Sequence, residues 1–386
     1  MTALPADLAL RVVQWQQQCG RHSLPWQQSR DPYRVWLSEI MLQQTQVATV
    51  LGYYERFLQH FPDVLSLAQA PLDDVLALWS GLGYYSRARN LHRCAQDVRD
   101  RFAGQFPRTA AELQTLPGIG RSTSAAVAAF CFGERVAILD GNVKRVLTRA
   151  LGFGEDLSVA ANERTLWALA TELLPHGLPA TASPEGVAVG ERDAISRYTQ
   201  GLMDLGATVC QTRNPDCPVC PLATLCAARR EGQPQAYPVK TRKLKRSAEA
   251  WWLLWASNAQ GQIWLARRPT PGVWAGLFCL PVFESEAQLQ AAVHALHGHG
   301  VEQQPVLLHV LTHKDLYLHP VRLQVPQTAS RAMERATGQP TDAGDWFGPA
   351  DWPRLGLPAP IRKLLEQAVA ASAPVQLPMA FEGRPL

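Results

Sequence analysis

The sequence predicts two domains of different fold class, an all-α domain followed by an α+β domain. The chain has 386 residues, and single hydrophobic cores stop growing near ~250–300 residues. Apolar residues recur at intervals of three and four through residues 1–226, which is the period of amphipathic helices. From Glu249 the pattern changes to short apolar runs that are typical of strands.

Capping residues mark several helix starts in the first domain. Asp31 precedes Pro32, which places an N-cap before the residue favoured at the first helical position. Thr109 and Glu112 have the spacing of a capping box. The periodic stretches, each predicted as helix, are 8–18, 32–57, 72–79, 87–101, 110–116, 122–132, 143–151, 160–173 and 197–205.

The second domain begins with a predicted β-hairpin. Residues 250–257 and 262–268 flank turn residues at 258–261. A helix (286–297), two strands (306–312 and 316–325) and a final helix (361–371) follow. We therefore predict a helical domain over 1–226, a linker over 227–248, an α+β domain over 249–372 and a tail over 373–386.

The positive charge of the chain is concentrated in one segment. The net charge is only +4, yet residues 229–246 hold seven Lys and Arg against one Glu. Such a run is either a solvated linker or a patch that binds polyanions.

The chain offers no candidate membrane segment. Its longest apolar run, Ala125–Phe132, has eight residues, whereas a membrane helix needs about 20. The N-terminus lacks the basic flank and long apolar region of a secretory signal. We expect a cytoplasmic protein, and a monomer, since no heptad pattern is present.

Four of the eight cysteines are crowded into 17 residues. Cys210, Cys217, Cys220 and Cys226 have the spacing C-x6-C-x2-C-x5-C. Zinc and iron–sulfur clusters both accept four thiolates. Zinc sites usually show two tight pairs, and only Cys217 and Cys220 form one. The spacing therefore favours one [4Fe–4S] cluster with a structural role; structural zinc and no metal are the alternatives.

The sequence predicts different environments for two carboxyl groups, those of Glu39 and Asp140. Glu39 lies on an apolar helix, beside Trp36 and Leu42, where desolvation should raise its pKa. Asp140 ends an apolar segment before a helix, where a capping role should keep its pKa low. Such a split suits a proton donor and a stabiliser of positive charge, as in protonating a leaving group beside an oxocarbenium-like sugar. A Glu at the helix rim and a plain capping Asp are the alternatives.

Two further segments suit nucleic acid. Gly118 and Gly120 lie in a Leu-Pro-Gly-Ile-Gly turn between helices, where backbone amides can approach a phosphate closely. The uncharged run Gln43–Gln46 suits hydrogen bonds to base edges. A tight turn and ordinary surface glutamines are the alternatives.

Together these motifs resemble the helix-hairpin-helix DNA glycosylase superfamily with an iron–sulfur loop, and within it the adenine DNA glycosylases of the MutY type. The second domain resembles, more loosely, their Nudix-like domain. The matching motifs are PWQ (25–27), SEIMLQQTQV (38–47), GLGYYSRARNLH (81–92), LPGIG (116–120), ILDGNVKRVL (138–147) and MDLGATVC (203–210). The resemblance implies an all-α helix-hairpin-helix glycosylase domain with a [4Fe–4S] loop at 210–226, followed by an α+β Nudix-like domain.

The implied activity is removal of adenine mispaired with 8-oxoguanine or G in double-stranded DNA, after the base is flipped from the duplex. By resemblance, Glu39 protonates adenine N7 and Asp140 stabilises the oxocarbenium-like sugar. Asn142 and Ser122 order the attacking water and Asp140. The other implied residues are Trp26 and Gln200 in the adenine pocket, Gln44 and Tyr84 around the opposite base, and Gly118 and Gly120 at a backbone phosphate.

Several departures from related families bear on the activity. Endonuclease III-type enzymes carry a lysine nucleophile where this chain has Ser122, which favours a monofunctional enzyme; Lys144 is the nearest other amine in the sequence. A Phe-Ser-His loop that reads the opposite base in the family corresponds here to Leu311-Thr312-His313. No R-E-x-x-E-E run occurs between residues 251 and 386, so nucleotide hydrolysis is not expected.

Two other interpretations compete with adenine removal. One is a bifunctional enzyme of the endonuclease III type that acts on oxidised pyrimidines. The other is a non-catalytic iron–sulfur module that binds DNA, with the second domain as a protein adaptor. The stretch 175–197 is longer than the family pattern, and it directly precedes Gln200.

Overall fold

The computed structural model describes residues 5, 7–176, 191–242, 245–326, 330–338 and 343–372. They form two compact units. The helical unit comprises the described residues within 1–70 and 86–244, and the sheet unit comprises those within 71–85 and 245–372. Within the described ranges, no helix combines the length and hydropathy needed to cross a bilayer.

Helices account for most of the first 230 residues. Those before the sheet are α1 (Leu8–Cys19), α2 (Pro32–Leu42), α3 (Val47–His60), α4 (Val64–Gln69), α5 (Leu72–Trp79), α6 (Tyr85–Phe102), α7 (Ala110–Leu113), α8 (Arg121–Val127), α9 (Gly141–Leu151), α10 (Ala160–Glu172), α11 (Glu191–Thr208) and α12 (Ala227–Arg230). Helices α13 (Glu286–Ala295), α14 (Ser330–Thr337) and α15 (Ala359–Ser372) follow in the second half.

The strands lie in the second half of the chain. They are β1 (Ser247–Ser257), β2 (Ile263–Arg267), β3 (Phe278–Cys279), β4 (Val282–Phe283), β5 (His299–Gln303), β6 (Leu307–Val310), β7 (Lys314–Gln324) and β8 (Gly344–Phe347). All eight join one mixed sheet with the order β3-β2-β1-β7-β5, in which β4 pairs with β1, β6 with β7 and β8 with β2.

Asp31 and Thr109 cap their helices as predicted, but the Glu112 side chain accepts from the Thr109 hydroxyl, so the predicted capping box is incomplete, and one predicted helix is wrong. Asp31 accepts a hydrogen bond from the Tyr33 N–H at 2.8 Å, which starts α2. The continuous helix over 32–57 does not occur, because the chain breaks between α2 and α3 and Gln44 adopts a φ of 56°. The polar run at 43–46 has no apolar side chain to bury. Arg87 instead donates to the last carbonyls of α2, including those of Ile40 and Met41 at 3.0 Å each.

One core cluster of the helical unit surrounds α9. Apolar residues of α1, α9, α10 and α11 form one buried cluster. Residues 227–239 were predicted to be part of a linker, but they belong to the helical unit. Helix α12 and a turn at 234–236 pack into this unit. Ala228 is fully buried, and the buried Arg149 donates from Nε to the Pro234 carbonyl at 2.7 Å.

The sheet unit is organised by its longest strand pair. Strands β1 and β7 run parallel from Ser247 opposite Lys314 to Ser257 opposite Gln324. The predicted hairpin forms, with β1 and β2 antiparallel. Helices α13 and α14 cover one face of the sheet, where Leu289 and Met333 pack with Leu254 and Leu323 in one core cluster.

A short segment from the first half of the sequence also packs in the sheet unit. Ser80 and Tyr85 each donate a hydrogen bond to the Leu357 carbonyl at 2.9 Å. Leu76 is 1% exposed and packs so closely on Gly356 that a Cβ there would lie 2.6 Å from the Cβ of Leu76. The amphipathic pattern of α5 predicts a buried face, but not which unit buries it.

We expect Leu76→Ala to destabilise the sheet unit by roughly 2–5 kcal/mol, because it leaves a cavity in a fully packed site. Hydrogen exchange followed by mass spectrometry should show faster exchange in β1 and β7, with α9 and α11 unchanged. Leu65→Ala, at a side chain that is 41% exposed in α4, is the matched control. Faster exchange confined to the helical unit would contradict the assignment of residues 71–85.

Candidate active site

The helical unit contains a cleft of about 1470 Å³. Its walls come from α2, the turn after α2, the Pro25–Gln27 turn, the start of α9 and the middle of α11. Seven of the residues singled out in the sequence line this cleft: Trp26, Glu39, Gln44, Ser122, Asp140, Asn142 and Gln200. Trp26 and Gln200, which are 174 positions apart in the sequence, thus line the same cleft.

Glu39 is a carboxyl group in a largely apolar setting. It lies on α2 between the buried residues Ser38 and Ile40. Burial raises the pKa of Glu39 well above its ordinary value, to about 8, and the nearby charge of Asp140 adds to the rise. At neutral pH Glu39 therefore holds its proton, and it can donate that proton to a bound group.

Asp140 is the N-cap of α9, as predicted, and accepts from the Val143 N–H at 2.7 Å. The prediction that its pKa stays low is wrong. Burial raises the pKa of Asp140, and this effect exceeds the lowering by the amides of Val143 and Asn142 and by the Arg145 charge. The two carboxyl groups still differ, because only Asp140 has these donors. When the pair carries one negative charge, that charge therefore resides preferentially on Asp140.

Helix α9 connects the cleft to the four-cysteine segment through arginines. Arg145 donates to the Asn142 side-chain oxygen at 2.9 Å, to the Gly206 carbonyl at 2.6 Å and to the Cys210 carbonyl at 2.7 Å. One turn later, Arg149 is 2% exposed and donates to the Cys210 sulfur at 3.3 Å. Asn142 is thereby held by the same contacts that hold the start of the cysteine segment.

The four cysteines are partly buried free thiols. Burial raises the pKa of Cys220 to about 12, and the charges of Cys210, Cys226 and Cys217 add to the rise, so the four groups lie close enough to interact. Across the described ranges, no three His, Cys, Asp or Glu side chains are arranged around a single metal-ion position. Four interacting thiols beside a buried guanidinium suit a larger anionic group.

The remaining predicted residues lie elsewhere. Gly118 has a φ of +76°, and a Cβ there would lie 2.8 Å from the Asn90 Cβ, so glycine is required. Gly120 caps α8 and faces open space. Most of the long stretch at 175–197 falls outside the described residues.

Tyr84 and Thr312 are both in the sheet unit, and their hydroxyl groups are hydrogen-bonded at 2.7 Å. The turn that carries Thr312 and His313 is tied to the start of β1. The Ser247 N–H donates to the His313 carbonyl at 3.1 Å, and Arg246 donates to the Thr312 carbonyl at 2.9 Å.

Three residues of the cleft region, Arg21, Gln27 and Asp204, were not predicted as site residues. Asp204 is fully buried and accepts hydrogen bonds from Arg21 and Gln200. Both amide atoms of Gln27, which lines the cleft, are buried without a partner in the described part of the chain. Asp204 lies four residues after Gln200, a spacing that places both on one helix face and was a usable signal.

Comparisons with known proteins define the class. Residues 37–172 match the family model described as "HhH-GPD superfamily base excision DNA repair protein", and residues 250–367 match the NUDIX domain. The chain is similar, at 28% identity and a TM-score of 0.50, to a solved thermostable thymine-DNA glycosylase, over 58% of this chain and 95% of that one. The fold is thus that of a helix-hairpin-helix base excision repair protein with a Nudix-like domain.

The relatives identify the particular family. The adenine DNA glycosylase of Buchnera aphidicola (subsp. Acyrthosiphon pisum, strain APS) is 33% identical over 358 residues, which cover 92% of this chain and 95% of that protein. The adenine DNA glycosylase of Homo sapiens is 41% identical over 227 residues, or 56% of this chain and 38% of that protein. The chain belongs to the adenine DNA glycosylase family, and it is an enzyme that hydrolyses N-glycosyl bonds.

The raised pKa of Glu39 predicts a pH-dependent stability. Folded protein holds a proton on Glu39 that the unfolded chain releases, so stability falls as the pH rises from about 4.5, the ordinary value, through about 8. We expect Glu39→Gln to match the wild type near pH 4.5 and to exceed its stability by roughly 4–5 kcal/mol at pH 8.5. Urea unfolding checks this, with the exposed Glu172→Gln as control. An unchanged pH slope would contradict it.

Proposed function

We propose that this enzyme removes adenine opposite 8-oxoguanine or G in double-stranded DNA, without an efficient strand-cleaving step, and that it acts as a monomer. The observation that carries the proposal is the pairing of Glu39 and Asp140 in one cleft. One carboxyl holds a proton at neutral pH, and the other has donors that favour its charge.

The chemistry of base removal matches this division. Glu39 donates its proton to N7 of the flipped adenine, which makes the base a better leaving group. Asp140 faces the sugar, where a carboxylate stabilises the positive charge that develops as the glycosidic bond breaks. Asn142, held by Arg145, and Ser122 order Asp140 and the attacking water. Trp26 and Gln200 contribute to the adenine pocket. The ring of Trp26 packs against that of Tyr54, with 5.3 Å between the ring centroids.

The residue at the hairpin position supports the monofunctional proposal. A lyase needs an amine that attacks the sugar, and the cleft has Ser122 at the hairpin position where endonuclease III-type enzymes carry lysine. Lys144 is not among the residues that line the cleft, and its ammonium group forms an ion pair with Glu163 of α10. Neither observation favours the endonuclease III-like alternative.

Tyr84, Gln44 and the Leu311-Thr312-His313 turn are proposed to contact the opposite base and its neighbours. The Tyr84–Thr312 hydrogen bond supports this, because it presents both side chains as one preorganised pair. Arg246 is engaged with Thr312 and Asp315, so it supports the turn rather than DNA phosphates. Phosphate binding by the basic run is proposed for Lys240, Arg242 and Lys245, and by the Gly118–Gly120 turn.

A single-turnover assay tests the proposed activity. On duplexes with adenine opposite 8-oxoguanine or G, we expect strand breaks only after hot alkali, which cleaves the abasic site. Glu39→Gln and Asp140→Asn should each slow release by at least about 10²-fold, the usual contribution of such groups. The wild-type rate should fall above a pH of about 8, as Glu39 loses its proton.

Two other results would redirect the assignment. Breaks of equal yield without alkali, with a borohydride-trapped adduct, would indicate a lyase. Tight duplex binding with no base release would indicate a non-catalytic module. The exposed variant Glu172→Gln controls for effects of a changed charge.

We also propose that Cys210, Cys217, Cys220 and Cys226 hold one [4Fe–4S] cluster. The mutual electrostatic influence of the thiols and the guanidinium of Arg149 at the Cys210 sulfur support it. The cluster would supply a fixed anionic centre around which residues 210–226 fold, and those residues would in turn hold Arg145 and Asn142. Structural zinc is the alternative.

The cofactor proposal predicts a brown protein with about four iron atoms per chain. Cys217→Ser should lower the iron content and the thermal stability of the protein together, while Cys19→Ser, at an exposed thiol, should change neither. Iron analysis and visible absorbance measure the first effect, and calorimetry measures the second. A colourless protein with one zinc per chain would contradict the proposal.

A further inference from the structure

A buried carboxylate sets the orientation of one amide in the cleft wall. Asp204 of α11 is 0% exposed. Its Oδ2 accepts from the backbone N–H of Arg21 at 3.0 Å, and its Oδ1 accepts from the Arg21 Nε at 2.7 Å. The same Oδ1 accepts from the Gln200 Nε2 at 2.9 Å. A carboxylate offers acceptors only, so the group facing it must be a donor.

This contact fixes which position of the Gln200 amide holds the nitrogen and which holds the oxygen. If the amide of Gln200 turned over, its oxygen would face a carboxylate oxygen, and both would lack a proton to share. The amide nitrogen therefore stays on Asp204. Gln200 lines the cleft, and its Oε1 accepts no hydrogen bond from the described residues. The free side of the amide thus presents an acceptor to whatever enters the cleft.

We infer that Asp204 is a positioning residue that makes Gln200 select bases with an exocyclic amine over bases with a keto oxygen at the same place. An amide oxygen accepts from the N6 amine of adenine, whereas it opposes the O6 oxygen of hypoxanthine or guanine. Sites built around a polar partner discriminate strongly, because a mismatched base leaves buried groups unpaired. This inference rests on the proposed adenine removal and adds the residue that fixes the polarity of the pocket.

Asp204→Asn should reverse that polarity. The Arg21 backbone N–H cannot turn away, whereas the Arg21 guanidinium sits on a flexible side chain that is 30% exposed and can turn out to solvent, so the asparagine oxygen takes the position of Oδ2. The asparagine amine then takes the position of Oδ1, facing Gln200, and Gln200 turns over to accept from it. The cleft would face an NH2 group, which suits a keto base.

The test compares three bases in the same full-length enzyme. Single-turnover release is measured from duplexes with adenine, hypoxanthine or unsubstituted purine opposite 8-oxoguanine. We expect Asp204→Asn to lower the adenine-to-hypoxanthine rate ratio by at least about tenfold. Purine has no group at C6, so its rate reports any general loss of activity. The ratio is independent of the fraction of enzyme that is active.

Matched variants separate orientation from structure. Gln200→Met removes the acceptor and should lower the same ratio, and adding Asp204→Asn to it should change the ratio no further. Arg21→Met loses the ion pair with Asp204 but keeps the Gln200 contact, so it should lose stability and keep the ratio. Asp97→Asn, which breaks the exposed pair with Arg101, should leave rates and ratio unchanged.

The outcomes are distinct. Equal losses on all three bases in Asp204→Asn, with an unchanged ratio, would mean that Asp204 is only structural and would overturn the inference. An unchanged ratio in Gln200→Met would overturn it even if Asp204→Asn fails to fold. A wild-type enzyme that releases no adenine would instead refute the proposed function itself.

Discussion

Helix α9 connects the cleft to the four-cysteine segment, and much of the helical unit depends on how the polar side chains of this helix are satisfied. Its first turn is capped by Asp140, its second presents Arg145 and its third presents Arg149. Both arginines reach the start of the cysteine segment. Because a buried polar group without a partner is costly, these contacts fix the helix against the segment. The same helix then fixes Asn142 in the cleft.

The cleft combines burial with a few donors, and this combination sets the charges of its groups. Burial raises the pKa of both Glu39 and Asp140. Only Asp140 lies at a helix N-terminus with amide donors, so the proton and the charge go to different carboxyls. In α11, the buried Asp204 sets which atom of Gln200 faces the cleft. In both places the local hydrogen-bond partners decide the chemistry that the residue type leaves open.

The sheet unit takes a segment of the first half of the sequence, and this changes how the chain should be divided. Residues 71–85 bring Tyr84 to Thr312 within one compact unit. Tyr84 has a φ of 49° directly after the turn that holds Gly81 and Gly83, a conformation that costs energy for a residue with a side chain. The contacts of Ser80 and Tyr85 with Leu357 hold the segment in that conformation.

The sequence by itself determined most of the long helices, the first hairpin, the two fold classes and the motifs that carry the family resemblance. Periodicity and capping are local properties, so α1, α5 and the β1–β2 hairpin follow from nearby residues alone. The break at Gln43–Gln46, the packing of α12 and the place of residues 71–85 were decided by tertiary contacts, which no local pattern contains. The pKa of Asp140 is the clearest case. Its capping role is visible in the sequence, but its burial depends on residues far along the chain, and burial has the larger effect on its charge.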